Sequence, residues 1–267
     1  MKSTSDILAR IVAERETDVK TAKAQVPEES LRRRLGLRRP HSLRARLTAD
    51  RAWPQIIAEV KKASPSGGLL CPDYQPSAIA RAYAAAGATA ISVLTEPRHF
   101  LGSGADLEAV RAAVAIPVLR KDFIVDPYQL LEAAAWGADV VLLIAAALAP
   151  RQLATLYRES LALGLEALVE AHTAEEVEWA LALDEAITGV NSRNLKTLQT
   201  DLNVARELIR HVPSTRLAVA ESGIRTGAEI RELQHLGYRG FLVGASLLKS
   251  GDPGAALRTL IEEEERL

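Results

Sequence analysis

Five apolar runs in this chain end on an ionisable or amide side chain. Ile56-Ile57-Ala58 leads into Glu59, Val60 and Lys61, and Leu119-Arg120 leads into Lys121. Ala167-Leu168-Val169 ends on Glu170, Ile187 to Val190 ends on Asn191, and Leu217 to Ala220 ends on Glu221. A lone charge buried in such a run is costly unless it finds a partner or neutralises. Repetition of the pattern therefore points to one polar cavity shared by several segments. Carboxylates and ammonium groups held together in a cavity are the equipment of proton transfer. The same charges could instead serve only as an internal ion network that holds the segments together.

Strand side chains alternate with a period of two. Glu59 and Lys61 share a face, as do Leu119 and Lys121, Leu168 and Glu170, and Val219 and Glu221. Eight strand-like runs are expected: Ile56–Lys61, Ala90–Thr95, Pro117–Lys121, Val140–Ile144, Ala167–Glu170, Gly189–Asn191, Leu217–Glu221 and Gly240–Val243. Amphipathic stretches follow them, opening on Pro, Asp, Ser or Thr and often closing on Gly, as at Gly87, Gly137, Gly164 and Gly237. Alternating strands and crossover helices make a parallel sheet. Eight units of this length predict an α/β fold, a closed (β/α)8 TIM barrel, whose polar mouth lies at the C-terminal strand ends. The first strand lacks a G-x-G-x-x-G turn, which weakens a dinucleotide-binding sheet.

The 267 residues fit one such domain, with a barrel over 53–267 and a different segment over 1–50. Ile7, Leu8, Ile11, Val12 and Val19 recur at helical spacing behind an expected Ser5-Asp6 cap. Pro27-Glu28-Glu29 is expected to start a second helix with Pro in its first turn, and His41 to Leu47 a third. These predict a helical extension packed on the barrel.

The net charge of −1 argues against a polyanion binder. Arg32 to Arg51 holds eight arginines, but without interleaved aromatics it reads as a solvated face and not a nucleic-acid arm. The single cysteine, Cys71, precludes an internal disulfide and suggests a reducing compartment. No signal-like or membrane-length apolar run occurs, so a soluble cytoplasmic protein is expected.

Turns Ser222-Gly223-Ile224 and Gly244-Ala245-Ser246 follow the last two strands and precede helices. Backbone N–H groups in such turns bind phosphate. Ser64-Pro65-Ser66-Gly67-Gly68 reads as a mobile loop over the cavity. Phe100 and Phe123 lie just past the second and third strands, where they could wall an aromatic ring or simply anchor loops. The five histidines show no metal-ligand spacing; His172, near a strand end, is expected to be solvated or behind the site.

Ile57-Ala58-Glu59-Val60-Lys61-Lys62-Ala63-Ser64-Pro65-Ser66 and Leu119-Arg120-Lys121-Asp122-Phe123-Ile124-Val125-Asp126 resemble signatures of indole-3-glycerol phosphate synthases. Leu168 to His172, Asn191 to Leu195 and Ala220 to Ile224 fit the same family. The resemblance implies decarboxylating, dehydrating ring closure of 1-(2-carboxyphenylamino)-1-deoxyribulose 5-phosphate, a step of tryptophan biosynthesis needing no metal or organic cofactor. By motif position Lys121 looks like the general acid on the ketone oxygen and Glu170 the acid/base partner in dehydration. Glu59, Lys61 and Glu221 look like the supporting charges, with Lys61 also contacting substrate. Asn191, Arg193 and Ser64 resemble substrate-orienting positions; Ser222, Gly223, Gly244 and Ala245 the phosphate cradle; Phe100, Phe123, Leu195 and Leu198 the apolar pocket. Gly67-Gly68 stands where the family commonly includes Lys. The resemblance implies a small phosphorylated substrate, with no nucleic acid or membrane; it leaves association with other tryptophan-pathway enzymes open.

For such chemistry a Lys121 desolvated or flanked by cations would have a lowered pKa and donate readily. A competing enzyme reading is a class I aldolase with Lys121 as Schiff base. A competing non-enzyme reading is a barrel kept for binding or assembly.

Overall fold

The computed structural model describes residues 7–35, 40–49 and 54–265. Its eight principal strands are β1 (Ile56–Val60), β4 (Ala90–Leu94), β5 (Val118–Lys121), β6 (Val140–Ile144), β7 (Glu166–Ala171), β8 (Ile187–Asn191), β9 (Ala218–Glu221) and β10 (Gly240–Val243). All pair in parallel, each with its sequence neighbours, and β1 pairs with β10 to close the barrel. Two further short strands, β2 (Ala63–Ser64) and β3 (Gly68–Leu69), form a small antiparallel hairpin after β1.

The period-two pattern sorts the strand residues into two layers. Ile57, Leu119, Leu142, Leu168, Val219 and Leu242 pack into one apolar cluster filling the barrel. Their neighbours Ala58, Val60, Val141, Val169, Val190 and Phe241 pack in another, against the helices. Both faces are thus apolar, as a helix-wrapped parallel sheet requires. The inward layer gives way to Glu59, Lys121, Glu170, Asn191 and Glu221 toward the C-terminal strand ends.

The wrapping helices are α4 (Pro76–Ala85), α5 (Gly104–Ala113), α6 (Pro127–Trp136), α7 (Pro150–Ala162), α8 (Ala174–Leu181), α9 (Asn203–Leu208), α10 (Gly227–Leu236), α11 (Ala245–Leu248) and α12 (Pro253–Glu265). Local chemistry sets their ends. Asp126 and Thr226 each form a capping box at the starts of α6 and α10. Gly137 and Gly237 stop the same two helices at φ 97° and 119°, a left-handed region that costs glycine nothing. Helix α9 tightens into a 3-10 turn at Ile209–His211.

The extension contributes α1 (Ile7–Gln25), α2 (Glu28–Arg32) and α3 (Leu43–Thr48). Pro27 is the residue before α2 and not within its first turn. Leu43 and Leu47 of α3 are fully buried and share the inward cluster with Val140 and Ile187. The Glu166 carboxylate accepts from the backbone N–H of Leu43 and Arg44, at 2.9 and 3.0 Å, and so pins α3 at the N-terminal strand ends. Helix α1 reaches the opposite mouth. Its Arg15 pairs with Asp122 at 2.9 Å, and its Lys23 with Asp126 at 2.8 Å. The expected Ser5-Asp6 cap, Trp53 at the start of the barrel span, Arg38, Arg39 and Arg51 of the basic stretch, and the terminal Leu267 lie outside the described residues.

Candidate active site

One cavity of about 480 Å³ opens at the C-terminal ends of the strands. Lys121, the last residue of β5, projects into it beside Glu170 of β7. The Lys121 Nζ donates to Glu170 Oε2 at 3.1 Å and to Glu221 Oε2 at 3.3 Å. Lys61 pairs with Glu59 on the next arc of wall. Asn191 hydrogen-bonds the Glu170 carboxylate, and its Oδ1 accepts from the backbone N–H of Arg193 at 2.9 Å. Strand register makes these meetings: Asn191 lies beside Glu221, and Glu170 beside both Ile144 and Gly189.

Two glycines make room for the carboxylates. A side chain at Gly189 would collide with Glu221 Oε1, and one at Gly244 with Glu59 Oε1. Glu221 is 1% exposed and does not form part of the cavity wall; it sits beneath Lys121 and touches the site through that ammonium. The remaining residues to which the resemblance gave a catalytic, substrate-binding or phosphate-binding role all line the cavity.

Burial and pairing push the charges in different directions. Desolvation opposes the Lys121 ammonium, but Glu170, Glu221 and Glu59 together outweigh it and raise its pKa. The expected lowering is thus reversed: the neighbours are carboxylates, not cations. Glu170 is desolvated yet held below the usual carboxylate range by Lys121, His172 and Asn191. Glu59 is likewise lowered against its burial, by Lys61 and Lys121. Glu221 goes the other way, pushed up to about 7 by desolvation and, despite Lys121, by the charge of Glu170. Paired carboxylates with separated pKa values divide base from proton store.

The apolar wall is built around Phe100 and Phe123, whose ring centroids stand 6.3 Å apart, with Leu195 packed on the same cluster. Phe100 is fixed by a residue that sequence reading passed over. The fully buried Glu96 carboxylate accepts from the backbone N–H groups of Arg98, His99 and Phe100, at 2.9, 2.7 and 2.9 Å. Leu195 and Leu198 ride on a turn held by Asn194, whose Oδ1 accepts from the N–H of Lys196 and Thr197. Arg193 braces that turn by donating to the Leu198 carbonyl at 2.9 Å.

The Ser64–Gly68 segment is the tip of the β2–β3 hairpin, with Gly67 N–H donating to Ser64 Oγ at 3.1 Å, so the expected loop has its own pairing. Ser222, at φ 64°, and Gly223, at φ 90°, turn tightly after β9, while α10 starts only at Gly227. Gly244 and Ala245 line the same cavity, as do Arg225 and Lys249. Those two cations were missed: each lies beyond a strand end, where an exposed basic residue carries no periodic signal. Ile7, Leu8 and Ile11 of α1 also line the cavity. Their helical spacing was visible, but a stripe facing a pocket reads the same as one facing a core.

His172 keeps 14% of its side-chain surface in solvent, but both ring nitrogens are shielded from it. Its Nε2 lies 3.4 Å from Glu170 Oε1 and its Nδ1 3.4 Å from Glu176 Oε2. Among the described residues no cluster of His, Cys, Asp or Glu has the arrangement of a metal site, and no helix is long and apolar enough to cross a membrane.

A family model described as indole-3-glycerol phosphate synthase matches residues 8–260. An indole-3-glycerol phosphate synthase of Azospirillum brasilense is 45% identical over 260 residues, covering 96% of this chain and 99% of that protein. One of Carboxydothermus hydrogenoformans is 44% identical over 261 residues, covering 95% and 99%. Among solved structures, a thiamine phosphate pyrophosphorylase from Pyrococcus furiosus superposes with a TM-score of 0.60 at 18% identity, covering 84% of this chain and 98% of that one, a likeness of fold alone.

Proposed function

The chain belongs to the indole-3-glycerol phosphate synthase family, and from that premise we propose how its cavity carries the reaction. The enzyme is a carboxy-lyase of tryptophan biosynthesis, converting 1-(2-carboxyphenylamino)-1-deoxyribulose 5-phosphate to indole-3-glycerol phosphate with loss of CO2 and water. The observation that carries the assignment of roles is the Lys121 ammonium, gripped by Glu170 at 3.1 Å and Glu221 at 3.3 Å at the base of a half-apolar cavity.

The aryl ring packs against Phe100, Phe123, Leu195 and Leu198. The phosphate sits at the opposite end, against the backbone N–H groups of Ser222, Gly223, Gly244 and Ala245, with Arg225 and Lys249 at hand. Holding both ends bends the chain so that the ring carbon bearing the carboxylate meets the ketone carbon, a gain in proximity. Asn191, Arg193 and Ser64 orient the sugar chain between them.

As the carbon–carbon bond forms, the ketone oxygen takes a proton from Lys121. The carboxylate leaves as CO2, and its bonding pair restores the aromatic ring. Glu170, kept ionised, then removes a proton from the adjacent carbon. The hydroxyl departs as water, taking that proton from Glu170, while the Lys61 ammonium on the wall stabilises the negative charge developing on the leaving oxygen. Each positioned acid or base contributes roughly 10²–10⁴ in rate. A protonated Lys121 between two carboxylates suits this role and ill suits an imine-forming nucleophile, which must be a free amine.

The test is direct: indole fluorescence should rise when the purified chain meets the carboxyanilino substrate without added metal. A covalent Lys121 adduct trapped by borohydride would move the assignment to an aldolase. We also place the enzyme in the cytoplasm and leave association with other enzymes of the pathway to pull-down experiments.

A further inference from the structure

The reaction above has a proton deficit, and this inference rests on that reading. The substrate enters as a carboxylate, and CO2 leaves neutral. Ring closure takes one proton onto the ketone oxygen, and departure of the hydroxyl as water takes a second. Loss of the carbon-bound hydrogen returns only one. Each turnover therefore draws one proton from bulk water or a buffer acid, and Lys121 stays discharged until it arrives.

Bound substrate fills the cavity and covers Lys121 and Glu170 from the front. A route from behind exists in the structure. Glu170, with 2% of its side-chain surface exposed, has Oε2 on Lys121 and turns Oε1 toward His172 Nε2 at 3.4 Å. The far nitrogen of that ring, Nδ1, stands 3.4 Å from Glu176 Oε2, and Glu176 keeps 14% of its side-chain surface in solvent. Both ring nitrogens are shielded from water and neither makes an aligned hydrogen bond, although buried polar atoms are seldom left so. Glu176 is itself tied to the spot, because its Oε2 accepts the backbone N–H of His172 at 2.7 Å.

We infer that Glu176 and His172 form the inlet through which the proton consumed in each turnover passes to Glu170 and on to Lys121. Glu176 takes a proton from solvent and gives it to His172 Nδ1. His172 releases its Nε2 proton to Glu170 Oε1, Glu170 turns its carboxyl to pass that proton to Lys121, and the imidazole, left protonated at Nδ1, turns over so that its remaining N–H faces Glu170 for the next cycle. No bond other than those to hydrogen changes. The carboxylates acting on the ring are Glu176, Glu170 and, more distantly, Glu221; together they outweigh its desolvation and raise its pKa. Neither His172 nor Glu176 lines the cavity; both act through Glu170.

The resting site already holds the protons for one turnover, which separates the relay from a merely structural role. His172→Gln and Glu176→Gln should each be followed by indole fluorescence under two regimes, enzyme in excess and substrate in excess. Glu176→Gln keeps a carbonyl to accept the His172 N–H and guards against misfolding of the other variant. The inlet predicts a near-normal single turnover, an unchanged KM, a kcat lowered by roughly 10²-fold, and partial recovery of kcat with added imidazole. Equal loss in both regimes with no response to imidazole would leave His172 as a prop for Glu170 and overturn the proposal. Wild-type turnover in both variants would mean that the proton enters elsewhere. Absence of any indole product from the unaltered enzyme is a different result, and would remove the assigned reaction itself.

Discussion

At Lys121 and Glu221 two buried groups share one proton balance. The Lys121 ammonium is stabilised by carboxylates, so in the proposed role of acid it is held charged and must be released from that grip to donate. Replacing Lys121 with Ala should lower kcat by about 10²–10⁴ while affinity for a phosphate-bearing product analogue changes little, read by kinetics and calorimetry. Comparable losses in both would make Lys121 a binding group. Glu221, pushed up to about 7, is neutral below that pH and then leaves Lys121 to Glu170 and Glu59 alone. Ionising Glu221 tightens the hold on the Lys121 proton, so kcat should fall as pH rises through about 7. Glu221→Gln should abolish that limb of the kcat–pH profile; a limb that persists unchanged belongs to another group.

At the scale of elements, strand backbones approach the charges so closely that side chains are excluded. Gly189 on β8 stands against Glu221 Oε1. Gly189→Ala should cost about 1–3 kcal/mol by overpacking and reduce kcat by shifting Glu221, as measured by urea unfolding and steady-state rates. An unaffected kcat would show that Glu221 has slack. Helix α1 is held by its charges as much as by its apolar stripe. Arg15 bridges Asp122 at 2.9 Å, and Asp122 also accepts from Arg120 at 2.9 Å and Thr95 at 2.7 Å. Arg15→Met should cost about 3 kcal/mol, the low end for breaking a buried pair because Asp122 keeps its other donors. KM should rise, since Ile7, Leu8 and Ile11 line the cavity from this helix; an unchanged KM would separate α1 from substrate binding.

For the whole molecule, pH acts on stability through several buried carboxylates at once. Asp122 is lowered, Arg15 and Arg120 prevailing over its desolvation, and Glu59 and Glu170 are lowered too. Their folded pKa values lie below the unfolded ones. Their stabilisation is therefore complete above the ordinary carboxylate range and is lost as pH falls through the depressed values. Glu221 opposes them: its raised pKa makes stability decline as pH climbs from the ordinary carboxylate range toward about 7. Unfolding free energy should thus crest on the acid side of neutrality and drop steeply in stronger acid. Urea titrations across that range check it, and Asp122→Asn should flatten the acid limb.

Sequence alone went far because barrel strands obey a strict period. Charges terminating apolar runs could only be paired if the strand ends converged, and the TIM-barrel fold and the cavity residues follow from that. Motif order also carried the family and its chemistry. Three matters depended on distance between segments far apart in the chain. Whether Lys121 lies among cations or carboxylates is decided by β7 and β9, and they reversed the expected direction of its pKa. Whether His172 faces water or Glu170 is decided by the seating of α8. Whether the stripe of α1 meets core or cavity is decided by Arg15 reaching Asp122, 107 residues away. Periodicity fixes which way a side chain points, but Coulomb energy and solvation depend on what stands opposite, and only the tertiary structure supplies that.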